Sequence, residues 1–362
     1  MTTLPIFRAM SRPARAAATF VLAMVTVTIV GHLLNPDLPP TLVFGLSALS
    51  ILGLAWLIGQ ATERLGEISG PQVGGILNAT FGNIAELIIA FFALQAGLID
   101  VVKASLTGSI IGNLLLVLGL SVLVGGLRNG RQTFSREVAG SNAALLVLAA
   151  ISLLIPAVLA FSSSTSGGGV IEDSVLVSVF LIVGYVLSLV YQFRNPPPGS
   201  EADRETDSDG WTGREAATVL VAAAVLLAIL SEILVGAIEP VVETVGLTTF
   251  FVGVIVLPVI GNLAEQLVAV QLAFKNRMQF SMAVSYGASL QVALFVAPVL
   301  VLLGVLTGHE MNLVFAPLEV AAVVAAVGIS ALIALDGESN WLEGALLTIV
   351  YLILAAAFFE LR

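Results

Sequence analysis

Cysteine is absent from the chain, which excludes disulfides, thiolate metal sites and thiol nucleophiles and leaves the redox compartment unreadable. Histidine occurs only as His32 and His309, one at the predicted outer end of an apolar segment and one in a predicted outer loop, where both read as solvated bystanders. Charge is scarce too: 10% of the 362 residues are charged against 58% hydrophobic, too little polar surface to cover a soluble globule. A mean hydropathy of +1.06 agrees, and the chain reads as an integral membrane protein with the lipid bilayer as its main partner. The net charge of -10 argues against nucleic acid, and in a membrane protein it describes only the loops. No serine with histidine and no aspartate pair lies at membrane depth, so the chain is not expected to be an enzyme.

What is present is apolar sequence in long runs. A bilayer-spanning helix needs about 20 mainly apolar residues. Breaks at proline, glycine and charge clusters divide the chain into eleven such segments, near 17–34, 41–62, 71–97, 101–126, 138–161, 172–193, 214–236, 247–275, 279–306, 314–335 and 341–359. The first is longer than a signal-peptide core, and "HLLNPDLPP" at its end offers no small-x-small cleavage site, so it is kept as a helix.

Loop charge orients these segments. With a cytoplasmic N-terminus, Arg8, Arg12, Arg15, Arg64, Arg128, Arg131, Arg136, Arg194, Arg204, Arg214, Lys275 and Arg277 fall inside, leaving Lys103 and Arg362 outside. Twelve of fourteen basic residues on one face is the positive-inside signature. Removing or adding one span in the middle would scatter the basic loops over both faces.

A phrase then recurs. Gly82-Asn83-Ile84-Ala85-Glu86 aligns with Gly261-Asn262-Leu263-Ala264-Glu265, and the same alignment pairs Gly74 with Gly253, Ala90 with Ala269 and Gly108 with Gly287. The span carrying Glu86 starts inside and the span carrying Glu265 starts outside, so the copies face opposite ways. An inverted-topology repeat in a transporter places the site near the bilayer midplane. The expected fold is all-α: eleven transmembrane helices, an extra first helix followed by two inverted five-helix repeats. The expected divisions are 1–40 for the N-terminal tail and extra helix, 41–193 for the first repeat, 194–213 for an acidic cytoplasmic connector and 214–362 for the second repeat.

A carboxylate inside a membrane helix is costly and usually marks an ion or substrate pathway. Two of them brought together by pseudo-symmetry repel until a divalent cation or protons arrive. Calcium takes 6 to 8 oxygens at about 2.3–2.6 Å from carboxylates, carbonyls, amides and water. Here the Gly-Asn pair before each glutamate (Gly82 with Asn83, Gly261 with Asn262), helped by Pro258 in the second copy, is expected to loosen the helix and turn carbonyls toward a cavity. The following spans add Ser109 and Asn113, four apart on one helical face, and Gln291, four from Gly287. No histidine, cysteine or aspartate stands at the repeat, so hard cations match better than soft ones. Glu63 and Glu232, near span ends, are second-tier acids with solvation as their simpler explanation, and small residues such as Gly74, Gly108, Gly253 and Gly287 also serve as ordinary helix-packing residues.

Two stretches carry a resemblance: "NATFGNIAELIIAFFALQAGLIDVVKASLTGSIIGNLLLVLG" and "VIVLPVIGNLAEQLVAVQLAFKNRMQFSMAVSYGASLQVALFVAPVLVLLG". They resemble the two repeat motifs of the calcium/proton exchanger family, the cation/proton exchangers of the calcium/cation antiporter group, and the similarity runs through residues 17–361. The resemblance implies that Glu86 and Glu265 bind the ion and exchange protons, helped by Asn113, Gln291 and neighbouring carbonyls. It also implies that the segment with Glu201, Asp203, Glu205, Asp207 and Asp209 corresponds to the family's acidic segment, proposed to sense cytosolic calcium. Composition alone reads that segment as a solvated linker.

Two departures bear on ion choice: Gln266 stands where the motif often has histidine, and Ala85 where it often has threonine. The expected activity is calcium export in exchange for protons by alternating access, with calcium ions and protons as cargo and no resident cofactor. Expected alternatives are a proton-coupled exchanger of sodium, potassium or manganese, or a sodium/calcium exchanger. The expected location is a prokaryotic plasma (inner) membrane, and homo-oligomerisation is left open.

Overall fold

The structure, a computed structural model, describes residues 10–70, 74, 76–77, 80–162, 168–194 and 211–360. The acidic stretch from 201 to 209 lies outside the described residues. Apolar runs close their own backbone hydrogen bonds as helices, the form that a lipid environment requires. In chain order these are α1 (Arg12–Leu34), α2 (Pro40–Ser69), α3 (Ile84–Gln95), α4 (Ile99–Asn129), α5 (Arg136–Ser162), α6 (Gly168–Arg194), α7 (Gly213–Gly236), α8 (Ile238–Val245), α9 (Thr249–Phe274), α10 (Met278–Thr307), α11 (Pro317–Ile333) and α12 (Trp341–Glu360). Their starts follow local chemistry. Ser11 caps the Ala14 amide before α1, with Pro13 in the first turn, and Thr212 forms a capping box with Glu215 at the start of α7.

Among the described residues nine helices are long and apolar enough to cross a membrane, whereas α3 has 12 residues and α11 has 17. Among the described residues, two of the eleven expected segments hold shorter helices than expected. The third segment is interrupted by a turn at Gly82–Asn83, and the tenth begins only at Pro317, after an irregular stretch. Two elements had no sequence counterpart: the eight-residue α8, and a short antiparallel ladder of β1 (Gln132–Thr133) with β2 (Glu338–Ser339).

The chain forms two compact units. The first is Met1–Phe92 with Leu189–Gly246. Within it α2 packs along α7, burying Ile51, Leu54 and Ala61 on one helix and Leu227, Leu230 and Leu234 on the other. Gly53 lets α1 approach α2, since an added Cβ would stand 2.8 Å from Val21 Cγ1. Beside this contact Thr28 and Ser50 share a hydrogen bond of 3.0 Å between their hydroxyls, the kind of polar tie that holds helices together in lipid. At the other end of α2, Arg64 Nε donates to the Trp211 carbonyl at 2.8 Å and Arg64 Nη1 pairs with Glu67 at 2.7 Å.

The second unit is Ala93–Ser188 with Leu247–Arg362. Its centre is α4, whose Val102, Ile111, Leu114, Leu115, Leu118 and Val122 have no exposed surface. α9, α10, α11 and α12 all pack on α4. Glycine sets the spacing: a Cβ on Gly119 would stand 2.7 Å from Thr348 Oγ1 of α12, and one on Gly126 would stand 2.8 Å from Trp341 Cα. Beyond the end of α4, Gln132 Nε2 donates to the Ala273 carbonyl at 2.9 Å and to Asn276 Oδ1 at 3.0 Å. Arg128 lies 3.8 Å over the Phe274 ring. These contacts and the β1–β2 ladder gather the loops after α4, α9 and α11 at one end of the unit.

Candidate cation site

Gly82, Asn83 and Glu86 belong to the first unit. Gly82 and Asn83 form a turn, and Glu86 sits in the first turn of α3 that follows. Asn83 is 4% exposed and Glu86 7%. The amide groups at a helix start carry the positive end of the helix dipole, so a buried carboxylate in the first turn meets a favourable field there.

Gly261, Asn262 and Glu265 belong to the second unit, and there the same phrase adopts another local structure. α9 continues unbroken through Gly261 and Asn262, and Glu265 is half-buried within it. The expectation that the Gly-Asn pair loosens both helices is corrected for this copy. Here the irregularity lies upstream, in a π-helical segment at Val252–Val256. Pro258 has no N–H for the Val254 carbonyl four residues back. That carbonyl packs instead against Gly108 of α4, where an added Cβ would overlap its oxygen and stand 2.7 Å from Pro258 Cγ.

Two of the remaining predicted residues, Ser109 and Asn113, lie on α4, which packs against α9. The Asn262 side-chain amide donates to Ser109 Oγ at 3.5 Å, and both residues are buried. Glu265 is three residues past Asn262, on the same face of α9. Asn113, one turn past Ser109, is 3% exposed, and its Nδ2 has no hydrogen-bond partner among the described residues. A buried amide in that condition is a polar group available to a ligand or water.

Asn113 also lies in a second π-helical segment, Gly112–Val117, and Gln291 immediately precedes a third, Val292–Val296. The offset that aligns the two glutamates carries the first of these segments onto residues 291–296, so the extra residue per turn recurs at equivalent places. π-bulges concentrate at functional sites because they widen a helix and redirect its polar groups. Ser289, beside Gln291, bridges back to α4 by donating to the Ile110 carbonyl at 3.5 Å. The pattern of small and apolar residues does not reveal such segments, and the only hint was the Gly112-Asn113 pair within an otherwise apolar run.

Glu63 and Glu232 are both exposed, on α2 and α7 of the first unit, and the structure gives them no part in a buried cluster. The sequence reading overlooked Glu319, which is 3% exposed in the first turn of α11. It accepts from the Thr107 hydroxyl of α4 at 3.2 Å and from the Ala316 amide at 2.8 Å. As an acid close to a predicted span end it carried no signal beyond the charge itself. Among the described residues no group of three or more histidines, cysteines, aspartates or glutamates could hold a metal ion. A cation held here would therefore need amide, hydroxyl and carbonyl oxygens as well as carboxylates.

The architecture is that of a helical membrane protein, with Asn83, Glu86 and Asn113 at or beside irregular turns and Ser109 and Asn262 in regular helix. The family model described as "Sodium/calcium exchanger protein" matches residues 39–194 and 215–360. The chain is 42% identical over 355 residues to a Ca(2+)/H(+) antiporter of Aphanothece halophytica, covering 93% of this chain and 95% of the relative. It is 46% identical over 343 residues to a Ca(2+)/H(+) antiporter of Synechocystis, covering 88% and 91%. Among solved structures, the Ca2+/H+ antiporter protein YfkE superposes with a TM-score of 0.82 at 40% identity, covering 96% of this chain and 100% of that one. The chain belongs to the sodium/calcium exchanger protein family and, within the calcium/cation antiporter superfamily, to the calcium/proton exchangers.

Proposed function

We propose that the chain exports calcium in exchange for protons by alternating access, with Glu86 and Glu265 acting together as the exchanging carboxylates. The observation that carries this reading is the recurrence of a glutamate one turn after a buried asparagine in both halves, each in a helix otherwise fit for lipid. The relatives' names point to the same ions. With both carboxylates ionised the site takes one divalent cation from the cytoplasm, and Asn83, Asn262, Ser109, Asn113 and Gln291 supply hard oxygens beside it. Protons arriving from the other face displace the cation and return a neutral site. Exchange is obligatory because an empty, doubly charged site is too costly to carry through a low-dielectric barrier.

The deciding measurement is proton flux from reconstituted vesicles under an imposed pH gradient, on adding calcium, manganese, sodium or potassium in turn. Calcium is expected to drive the largest flux. A flux that responds to sodium or potassium and ignores calcium would move the chain to one of the alternative exchanger classes.

The orientation has its own check, aided by the absence of native cysteine. A cysteine at Thr133, exposed in β1, is expected to be labelled from the cytoplasm, and one at exposed Glu310, beyond the end of α10, from outside. Glu310 is preferred to Gly308 because Gly308 has φ 77°, where a side chain would be strained. Labelling of both from one face would discard the assigned topology.

A further inference from the structure

Lys103 read from sequence as one of two basic residues left on the outer side, and nothing in the repeat called on it. In the structure it lies one turn into α4, part-buried within the second unit. Its ammonium donates to Asn312 Oδ1 at 2.6 Å and to the Val314 carbonyl at 2.7 Å. The Phe315 ring centroid is 5.9 Å away, and Glu319 and Asp100 are its charged neighbours. The stretch that offers these oxygens is fixed in place. Met311, Leu313 and Phe315 alternate into the core, and the Leu313 amide donates to the buried Ser174 hydroxyl of α6 at 3.0 Å. Glu319 is fixed in turn by Thr107 and the Ala316 amide.

The ammonium thus stands among an amide oxygen, a backbone carbonyl and a nearby carboxylate, the donor types that hard cations use. Its contacts of 2.6 and 2.7 Å are short charge-assisted hydrogen bonds to oxygens of the kinds that calcium also takes. Lys103 and the Arg128–Arg131 loop lie toward opposite ends of the 31-residue α4, with a rise of about 38 Å from Lys103 to Arg128, so this cluster is at the face opposite the basic loops. That is the face from which the proposed exchange releases calcium and admits protons.

We propose that Lys103 is a tethered cation that fills an oxygen-lined site formed by Asn312, Val314 and Glu319 on the release face, keeping external calcium from binding there. The inference rests on the export reading for its direction, while the site itself rests on the contacts alone. A carboxylate with carbonyl and amide oxygens beside an exit would otherwise retain a departing divalent cation. A positive charge held in the same place repels calcium and cannot diffuse away. If the cluster only tied the loop to α4, removing the charge would change stability but not the response to calcium.

The test measures proton-driven calcium transport in vesicles while calcium is raised on the face that carries Lys103. Lys103→Met, which keeps the stem and removes the charge, is expected to be inhibited at calcium concentrations at least about tenfold lower than wild type. Lys103→Arg is expected to resemble wild type. Glu319→Gln in the Lys103→Met background should restore tolerance, because the glutamine carbonyl can still accept from the Ala316 amide and its NH2 can donate to the Thr107 hydroxyl, while the carboxylate charge is gone. Asn312→Ala with Lys103 intact loosens the hold on the ammonium and should shift tolerance in the same direction as Lys103→Met, which covers the case of a poorly folding methionine variant. Unchanged calcium tolerance in Lys103→Met, or in Asn312→Ala should the methionine variant not fold, overturns the proposal. If the wild type shows no calcium/proton exchange, the export reading fails by itself. The site is then judged by melting: a calcium-induced rise in Tm for Lys103→Met that wild type lacks supports it, and no such rise overturns it.

Discussion

Glu86→Gln and Glu265→Gln are each expected to abolish proton-coupled calcium flux while leaving the yield of folded protein at or above the wild-type level. Glutamine keeps the shape and much of the hydrogen bonding but removes one charge and one exchangeable proton. In the proposed two-carboxylate site, losing one charge costs about 3–5 kcal/mol, which is at least about a hundredfold in cation affinity. Insertion should not suffer, since a neutral amide is cheaper in lipid than a carboxylate. Gln266→Ala is the control, adjacent to Glu265 but about 100° away around the helix. Calcium flux and folded yield are measured on the same preparations. Near wild-type transport in either glutamine variant would end the paired-carboxylate mechanism and leave the repeated phrase to be explained by helix packing.

The second large effect separates two glycines that the repeat treats as equivalent. Gly108→Ala is expected to lower Tm and transport sharply, because the new methyl would overlap the Val254 carbonyl oxygen and press on Pro258. Overpacking of this kind costs about 1–3 kcal/mol where side chains can yield, and here the obstacle is the backbone of a π-helical turn. Gly287→Ala meets nothing within 4 Å. It is expected to be neutral or stabilising by up to about 1 kcal/mol, the usual gain of alanine over glycine inside a helix. Equal effects of the two substitutions on Tm would show that the packing around Gly108 is not as tight as the structure has it.

Much of the fold was legible because hydropathy is a property of the segment itself. Apolar runs of sufficient length must close their backbone hydrogen bonds internally, so α1, α2, α4 to α7, α9, α10 and α12 appeared in the sequence close to where they stand. Among the described residues α3 and α11 are shorter than the expected segments, because hydropathy does not register a turn at Gly82–Asn83 or an irregular stretch before Pro317. Glu86 and Glu265 were legible for a related reason: a carboxylate is conspicuous against an apolar background, and its recurrence at a fixed offset needs no coordinates. Lys103 and Glu319 had no such signal, because their significance lies in Thr107, Asn312 and Val314, which meet them from distant parts of the chain.

By itself the sequence determined that the chain is a membrane protein, that it carries two copies of one acidic phrase, and which carboxylates to test. The tertiary structure decided where each copy bends, that Asn262 turns to Ser109, that Gly108 is enclosed while Gly287 is open, and that an ammonium occupies an oxygen-lined cluster at the end of α4. The division has one physical cause. Hydropathy and charge act on a segment wherever it lies, whereas the break in a helix, the space beside a glycine and the partner of a buried charge depend on what the neighbouring helix brings opposite.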